Sequence, residues 1–394
     1  MKNPFEFGRE LGANELVDRE AEIAEVVETI RRGGKLFIIG PRRYGKTSIL
    51  KAAEDRLTED GAALLRFDAE TYASLDLLAS AIVAETAKRL KGSVERVGEQ
   101  VRKFFSRLRP ELSFSVAERE WTAKLGVNVS ETGTAAIGFL VEALNGFEEL
   151  AKAQSASRAV GLVIDEFQKI IEIGGQAAEA QIRAAIQRHK RAGYVFAGSK
   201  TRLLTKMTME PARPFYRLGQ LRFVGPLPRK DFREFLVRHF AESKFTVESP
   251  AIDFILDVAE EVPYNVQMLA HSCWAELRTR TSAAERALSR SLVGESLERL
   301  VRQYDPFYTQ LWTALTAVQQ KTLRAVIVHG GANLQSMKVV HAIGKGASTV
   351  RRSLGALVDR GILREDESGG VTRLRFEDPF FAHWIRMFTE GGLS

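Results

Sequence analysis

Short apolar runs alternate along the chain with segments in which apolar residues recur every three or four positions. Continuous apolar runs of this length are typical of strands buried on both faces of a parallel sheet. The recurring pattern, as in Ile23, Val26, Val27 and Ile30, is typical of helices. The alternation predicts an α/β fold with a parallel sheet. The predicted strands are residues 36–39, 64–68, 160–164 and 194–197, and the predicted helices are residues 14–33 (capped by Asp18), 47–57 and 75–90.

Residues 92–157 interrupt this alternation and are predicted to be an insertion in the same domain. Residues 94–108 have one apolar helical face, and two alternating runs around residues 117–120 predict a β-hairpin. The sequence leaves open whether the insertion is a structural or a partner-facing element.

The remainder of the chain is predicted to be helical from 229 to about 302, with a boundary at Asp305-Pro306. Three short helices follow, around residues 319–328, 336–343 and 347–360, and an alternating segment over 371–376 follows a turn at 368–370. Three helices and a hairpin are typical of a winged helix. The predicted domains are therefore a core over 1–228, a helical lid over 229–305 and a winged helix over 306–394.

Composition limits the class of protein. The length of 394 residues favours two or three domains, and 45% apolar with 27% charged residues is ordinary for a globular protein. No apolar run approaches the roughly 18 residues of a membrane span, and the first residues lack a secretory apolar region. The single cysteine, Cys273, favours a reducing compartment and is predicted to be a buried hydrophobe rather than a nucleophile. We therefore expect a cytoplasmic protein that does not bind a membrane.

One motif carries clear chemistry: Gly40-Pro41-Arg42-Arg43-Tyr44-Gly45-Lys46-Thr47, placed between a predicted strand and a predicted helix. Such a loop binds phosphates through its backbone N–H groups and the helix N-terminus. Glycine at 40 and 45 permits close approach of the backbone, Lys46 places a charge on the β- and γ-phosphates, and the Thr47 hydroxyl is a Mg²⁺ ligand. The motif predicts a P-loop NTPase that binds ATP and Mg²⁺.

Two acids, Asp165 and Glu166, directly follow the predicted strand 160–164. Such a pair alone is common as a helix N-terminal cap. Together with the phosphate loop, the pair favours catalysis, with Asp165 as a Mg²⁺ partner and Glu166 as the general base for the attacking water.

Polar and basic residues after the next strand are further candidates. Ser199 is predicted to position the γ-phosphate, and Lys200 and Arg202 lie beside it. Arg217 is a candidate arginine finger, against the alternative of a solvated surface arginine.

Several motifs together resemble the archaeal-type ATPase family, which is close to the AAA+ and STAND groups. The resemblance covers nearly the whole chain. The segments that carry it are residues 3–8 (Asn-Pro-Phe-Glu-Phe-Gly), 17–20, 40–48 with Ser48, 164–168, 196–200, 214–217, 263–267 and 377–381 (Glu-Asp-Pro-Phe-Phe).

This resemblance implies a P-loop core, a helical lid and a C-terminal winged helix. It also implies that residues 40–48 and Ser199 bind the nucleotide, that Val17 and Arg19 lie near the adenine, and that Pro263 contacts it from the lid. Similar proteins tend to carry glycine two residues before that proline, where this chain has Glu261.

Three functions stay open at this point. The first is an ATP-driven molecular switch, reset by hydrolysis. The second is an origin-initiator-like ATPase that binds double-stranded DNA. The third is a partner-regulated or self-associating signalling scaffold with very slow turnover.

The DNA hypothesis depends on charge. The whole chain has a formal net charge of +7, and residues 306–394 carry 11 Lys+Arg against 7 Asp+Glu, a balance of +4. Arg351 and Arg352 on the predicted recognition helix, with Lys345 before it, are the candidate contacts. Glu365, Asp366 and Glu367 in the wing oppose this hypothesis, and Arg373 and Arg375 partly offset them.

Overall fold

The computed structural model describes residues 2–12, 16–89, 112–115, 120–123, 133–280, 286–366 and 372–389. These residues form two compact units. The sheet unit comprises Glu10–Pro41 and Gly45–Gly225. The helical unit comprises the residues up to Arg9, the three residues Arg42–Tyr44, and the chain from Pro226 onward. The predicted division into a core over 1–228, a helical lid over 229–305 and a winged helix over 306–394 stays a prediction.

A five-stranded parallel sheet forms the centre of the sheet unit. Its strands are β1 (Lys35–Ile39), β2 (Ala63–Asp68), β5 (Val160–Asp165), β6 (Gly193–Gly198) and β7 (Gln220–Phe223), in the order β2-β5-β6-β1-β7. Every neighbouring pair is parallel. The four predicted strands are confirmed, because each is an almost continuous apolar run that the sheet buries. Strand β7 was not predicted; it lies at one edge and its residues are exposed or only half-buried.

The sheet order brings three strand ends together. Strand β6 pairs with β1 on one side and with β5 on the other. Gly40 follows β1, Ser199 follows β6, and Glu166 follows β5. The carboxyl ends of adjacent parallel strands form the crevice in which open α/β sheets bind ligands.

Helices cover the sheet and complete a core that contains Phe37, Phe147, Phe167, Phe196 and Phe215, all at most 2% exposed. The helices of this unit are α1 (Glu20–Arg31), α2 (Lys46–Glu59), α3 (Leu75–Arg89), α4 (Gly133–Ala153), α5 (Gln168–Ile186) and α6 (Thr201–Met209). The predicted start of α1 is wrong: Asp18 has a positive φ of 40°, the helix begins at Glu20, and no side chain caps it.

The described residues of the segment predicted as an insertion include a hairpin and a helix. Strands β3 (Leu112–Ser115) and β4 (Glu120–Ala123) pair antiparallel, which confirms the predicted hairpin. The predicted helix 94–108 lies outside the described residues. Helix α4 was not predicted, and its Leu140, Leu144 and Phe147 are at most 1% exposed within the core of the sheet unit. Residues 133–153 are therefore part of that core rather than an addition to it.

The helical unit contains α7 (Arg229–Glu242), α8 (Ser249–Val258), α9 (Pro263–Thr279), α10 (Arg290–Gln303) and α11 (Asp305–Thr313), with short strands β8 (Thr246–Val247) and β9 (Ala287–Leu288). The residues near the N-terminus pack here. Phe5 is fully buried and its ring lies 4.6 Å from that of Phe240, while the Asn3 amide donates to the His271 carbonyl at 3.1 Å. Cys273 is also fully buried, as predicted, and burial raises the pKa of its thiol to about 12.

The last part of this unit contains α12 (Ala317–Val328), α13 (Met337–Ile343), α14 (Ala347–Asp359), β10 (Leu363–Asp366), β11 (Arg373–Phe376) and α15 (Pro379–Thr389). Strands β10 and β11 pair antiparallel. The order of three helices and a hairpin agrees with the predicted elements, and its identification as a winged helix stays a prediction. Helices α11 and α15 were not predicted; Tyr308, Phe381 and Trp384 stack between them. No helix among the described residues is both long and apolar enough to cross a membrane.

Candidate nucleotide site

The loop between β1 and α2 has the backbone conformation that its glycines predict. Gly45 precedes α2 with φ at 84°, a left-handed conformation that favours glycine. A Cβ atom at Gly40 would lie 2.4 Å from the Val224 carbonyl oxygen. Arg43 also has a positive φ, 70°, and it is the non-glycine exception in the loop. Glycine is therefore required at 40 by close packing and favoured at 45 by the backbone.

Lys46 begins helix α2 and is only 5% exposed. Its ammonium donates to the carbonyl of Pro41, in the same loop, at 2.9 Å. A buried ammonium must be hydrogen-bonded, and it carries three donors. The positive charge of Lys46 is therefore positioned at the phosphate loop, where it can also bind an anion.

Thr47, in the first turn of α2, and Asp165, the last residue of β5, are in direct contact. The Thr47 hydroxyl donates to Asp165 Oδ2 at 2.8 Å, and Asp165 is 4% exposed. Burial raises the pKa of Asp165 above its usual value, and the hydrogen bond from Thr47 opposes this only in part. A hydroxyl and a buried carboxylate at this spacing are hard oxygen donors that fit Mg²⁺. Mg²⁺ commonly keeps water and substrate oxygens as its other ligands, so two protein donors suffice. No cluster of three metal-ligating side chains is found among the described residues.

Glu166 is held by two neighbours. Ser199 donates to Glu166 Oε2 from its hydroxyl at 2.7 Å and from its backbone N–H at 3.3 Å. The Gln168 amide, 1% exposed, donates to the same oxygen. Burial raises the pKa of Glu166, but these hydrogen bonds and the charge of Lys46 outweigh it, so the pKa lies below its usual value. Glu166 is therefore an anion at neutral pH. Its φ of 48° is a strained backbone conformation that orients the side chain.

The structure places Ser199 in contact with Glu166, and its role at the γ-phosphate stays a prediction. Gln168 lies two residues after Glu166, and its hydrogen bond to that carboxylate was not predicted. Lys200, by contrast, pairs with Glu172, and this ion pair is half exposed.

Arg217 lies in a loop that a buried ion pair anchors. Glu179 of α5 is fully buried, pairs with Arg213 and also accepts the Phe215 N–H at 3.4 Å. Arg217 itself is exposed, has a φ of 54°, and lies 5.1 Å over the Tyr216 ring. The loop is thus fixed while its arginine faces solvent, and the arginine-finger role stays a prediction.

Arg213→Ala should lower the free energy of unfolding by about 3–5 kcal/mol, because it leaves the buried Glu179 charge without its partner. Urea denaturation followed by circular dichroism measures this. Lys206→Ala is the matched control, since its pair with Glu210 spans 3.9 Å with both side chains about half exposed, and such pairs contribute at most about 1 kcal/mol. Equal effects of the two substitutions would contradict the anchoring role of Glu179.

The residues expected near the adenine are placed as follows. Val17 is half-buried, and Arg19 is 6% exposed. The Arg19 guanidinium donates to Glu22 at 2.9 Å and to the Gly225 carbonyl at 2.7 Å. Pro263 begins α9 in the helical unit. Their adenine contacts stay predictions.

Glu261, two residues before Pro263, lies at a turn with a left-handed backbone conformation. Glu260 and Glu261 both have positive φ, 47° and 56°, a conformation that costs a non-glycine residue energy. Glu261 pairs with Arg229 at 2.7 Å, and Glu260 lies 3.4 Å from Arg375. Ion pairs thus hold both glutamates at the turn.

The candidate DNA contacts are open to solvent. Lys345, Arg351 and Arg352 are exposed, and no ion pair with a carboxylate is seen for them within the described part of the chain. Arg375 of the hairpin is different, because it pairs with Asp366 at 2.5 Å as well as with Glu260. Arg375 therefore neutralises Asp366 within the hairpin, and its guanidinium is already paired with two carboxylates.

Comparison with known proteins concerns the fold. No protein-family model matches the chain, and no curated protein matches its sequence. A Walker-type ATPase of Pyrococcus abyssi is similar in structure, with a TM-score of 0.63 and 17% identity over 97% of this chain and 99% of that one. The ADP form of the Aeropyrum pernix ORC2 protein gives a TM-score of 0.52 and 13% identity over 99% and 98%. The chain therefore has the fold of the Walker-type, P-loop ATPases, as the resemblance in its sequence predicts.

Proposed function

We propose that this protein binds and hydrolyses ATP with Mg²⁺ and works as a nucleotide-driven molecular switch. The observation that carries the proposal is the arrangement at three adjacent strand ends, where Thr47 meets Asp165 and Ser199 meets Glu166 beside the buried Lys46. The similar ORC2 protein is named as an ADP form, which agrees with a nucleotide as ligand.

The residues have distinct parts in this proposal. Thr47 and Asp165 would hold Mg²⁺, which when bound neutralises phosphate charge. Lys46 and the loop N–H groups bind the phosphates. Glu166 accepts a proton from the attacking water, and Ser199 with Gln168 orients its carboxylate. We also propose a cytoplasmic location, which the single cysteine supports because it suits a reducing compartment.

Phosphate release from ATP, measured with Mg²⁺ and with excess chelator, tests the proposal. We expect turnover with Mg²⁺ and at most a trace without it. Tight ATP binding with negligible turnover would instead favour the partner-regulated scaffold, whose activity a protein partner or self-association must raise. No ATP binding under either condition would contradict the proposed function.

DNA binding is a second candidate, favoured by one observation. Lys345, Arg351 and Arg352 form an exposed basic group at and before the start of α14, with no carboxylate partner among the described residues. Val350, Leu354 and Leu357 form the buried face of the same helix, so both arginines point away from it. An exposed pair of this kind on a candidate recognition helix suits the phosphates of double-stranded DNA.

The double substitution Arg351→Ala with Arg352→Ala should weaken DNA binding and flatten its salt dependence, by up to about one unit of slope per lost phosphate contact. Fluorescence anisotropy with random duplex DNA across a salt series measures both, with and without ATP. Lys321→Ala with Arg386→Ala removes the same charge from α12 and α15 and is the matched control. If both double variants bind DNA as the parent does, the assignment of Arg351 and Arg352 as the contacts is wrong, and this region is better interpreted as a docking or packing module.

A further inference from the structure

The segment Glu377-Asp378-Pro379-Phe380-Phe381 has no part in the function proposed above. It joins β11 to helix α15 in the helical unit. The same unit includes Arg42, Arg43 and Tyr44 of the phosphate loop, and the two segments are in direct contact. This contact could not be predicted from the sequence, because 335 residues separate Arg42 from Glu377.

Asp378 is an acceptor for four groups. Its Oδ2 accepts from the Arg43 guanidinium at 2.8 Å and from the Tyr308 hydroxyl at 3.1 Å. Its Oδ1 accepts from the Asn265 amide at 2.9 Å and from the Phe380 N–H at 3.1 Å. Only 18% of its side chain is exposed. Asp378 therefore ties Arg43 to helices α9, α11 and α15 at once.

Glu377 makes a different contact. Its Oε1 accepts the backbone N–H of Arg42 at 3.0 Å. Backbone N–H groups of a phosphate loop are the donors that cradle a bound phosphate. A carboxylate hydrogen-bonded to one of them lies where it opposes an incoming anion, because like charges repel.

Two further contacts hold the same three loop residues. The Tyr264 N–H donates to the Arg43 carbonyl at 3.4 Å, and the Arg43 guanidinium lies 5.1 Å over the Tyr264 ring. The Tyr44 ring is 3% exposed, with the Arg364 guanidinium of β10 5.4 Å above it. Arg43 has a positive φ within this set of contacts. The conformation of residues 42–44 is thus fixed by α9 and by the C-terminal elements of the helical unit.

We propose that Glu377 and Asp378 form an autoinhibitory latch on the phosphate loop. This inference rests on the proposed ATP binding and names the regulation of that site. Phosphates compete with Glu377 for the loop N–H groups, and the Glu377 carboxylate repels their charge. Asp378 is paired with Arg43 and holds the loop residues in place. The closed latch therefore lowers ATP affinity, and bound ATP weakens the latch to the same extent, because coupling between two equilibria is reciprocal. The C-terminal elements would report the nucleotide state.

The test compares the parent with Glu377→Gln, which keeps the size and an acceptor oxygen but removes the charge. ATP affinity, measured by titration calorimetry with Mg²⁺, should rise roughly three- to tenfold, the scale of one partly screened charge. Asp359→Asn is the matched control: it removes one exposed acid at the end of α14 and should leave the affinity unchanged. Circular dichroism verifies that all three proteins are folded.

Hydrogen–deuterium exchange of the peptide spanning residues 372–389 gives a second readout. ATP should raise exchange there in the parent, and Glu377→Gln should show raised exchange already without ATP. Unchanged or weaker ATP affinity in Glu377→Gln, with a parent that binds ATP, would overturn the latch alone. A parent that does not bind ATP would overturn the proposed function, and the latch with it.

Discussion

Lys46→Ala is expected to weaken ATP binding by roughly 100-fold or more. The ammonium is the buried cation of the phosphate loop, 5% exposed and hydrogen-bonded to Pro41. A charge-assisted hydrogen bond contributes about 1.5–3 kcal/mol. The Lys46 ammonium has three donors and faces two phosphates, so its removal eliminates more than one such bond. A loss of about 3 kcal/mol corresponds to the stated change in affinity. Titration with a fluorescent ATP analogue measures it.

Lys51→Ala is the control for this prediction. Lys51 lies one turn further along α2, is more than a third exposed and pairs with Asp55. Lys51→Ala removes the same charge from the same helix but outside the phosphate loop, so ATP affinity should be almost unchanged. Equal affinity of Lys46→Ala and the parent, with both folded, would show that residues 40–47 do not bind the phosphates.

The sheet could be predicted because its physics is local. A strand buried on both faces needs a continuous apolar run, and four such runs stand out in the sequence. Strand β7 could not be recognised in this way, since Gln220 and Arg222 alternate with apolar residues at a sheet edge. Helix α4 did offer a signal: Ile137, Leu140 and Leu144 have helical spacing, but the segment was assigned to an insertion.

The predicted site residues fall into two groups. Thr47, Asp165, Glu166 and Ser199 follow apolar strands, so the sheet order places them together, as expected from a parallel sheet. The contact of Asp378 with Arg43 could not be predicted, because it depends on how segments hundreds of residues apart pack in the helical unit. The spacing of residues along the sequence does not predict such contacts. A strand–loop–helix motif, by contrast, predicts how its own residues are arranged.

Glu166→Gln is expected to leave Mg-ATP bound and to slow hydrolysis by roughly 100-fold or more, the usual scale for a lost general base. The amide has nearly the shape of the carboxylate, so binding should survive. It cannot accept the proton of the attacking water, and it also loses the negative charge that Ser199 and Gln168 hold in place. Single-turnover phosphate release separates this effect from changes in binding or product release.

Glu172→Gln provides the comparison that decides the assignment. Glu172 is an acid one turn into α5, where it pairs with Lys200 and is about a third exposed. Its removal changes the net charge near the strand ends by the same amount, yet it touches neither Ser199 nor Gln168 in any hydrogen bond seen in the described residues. If both variants hydrolyse ATP at the parent's rate, another group activates the water. If both are equally slow, the effect is one of overall charge, and Glu166 has no special role as the base.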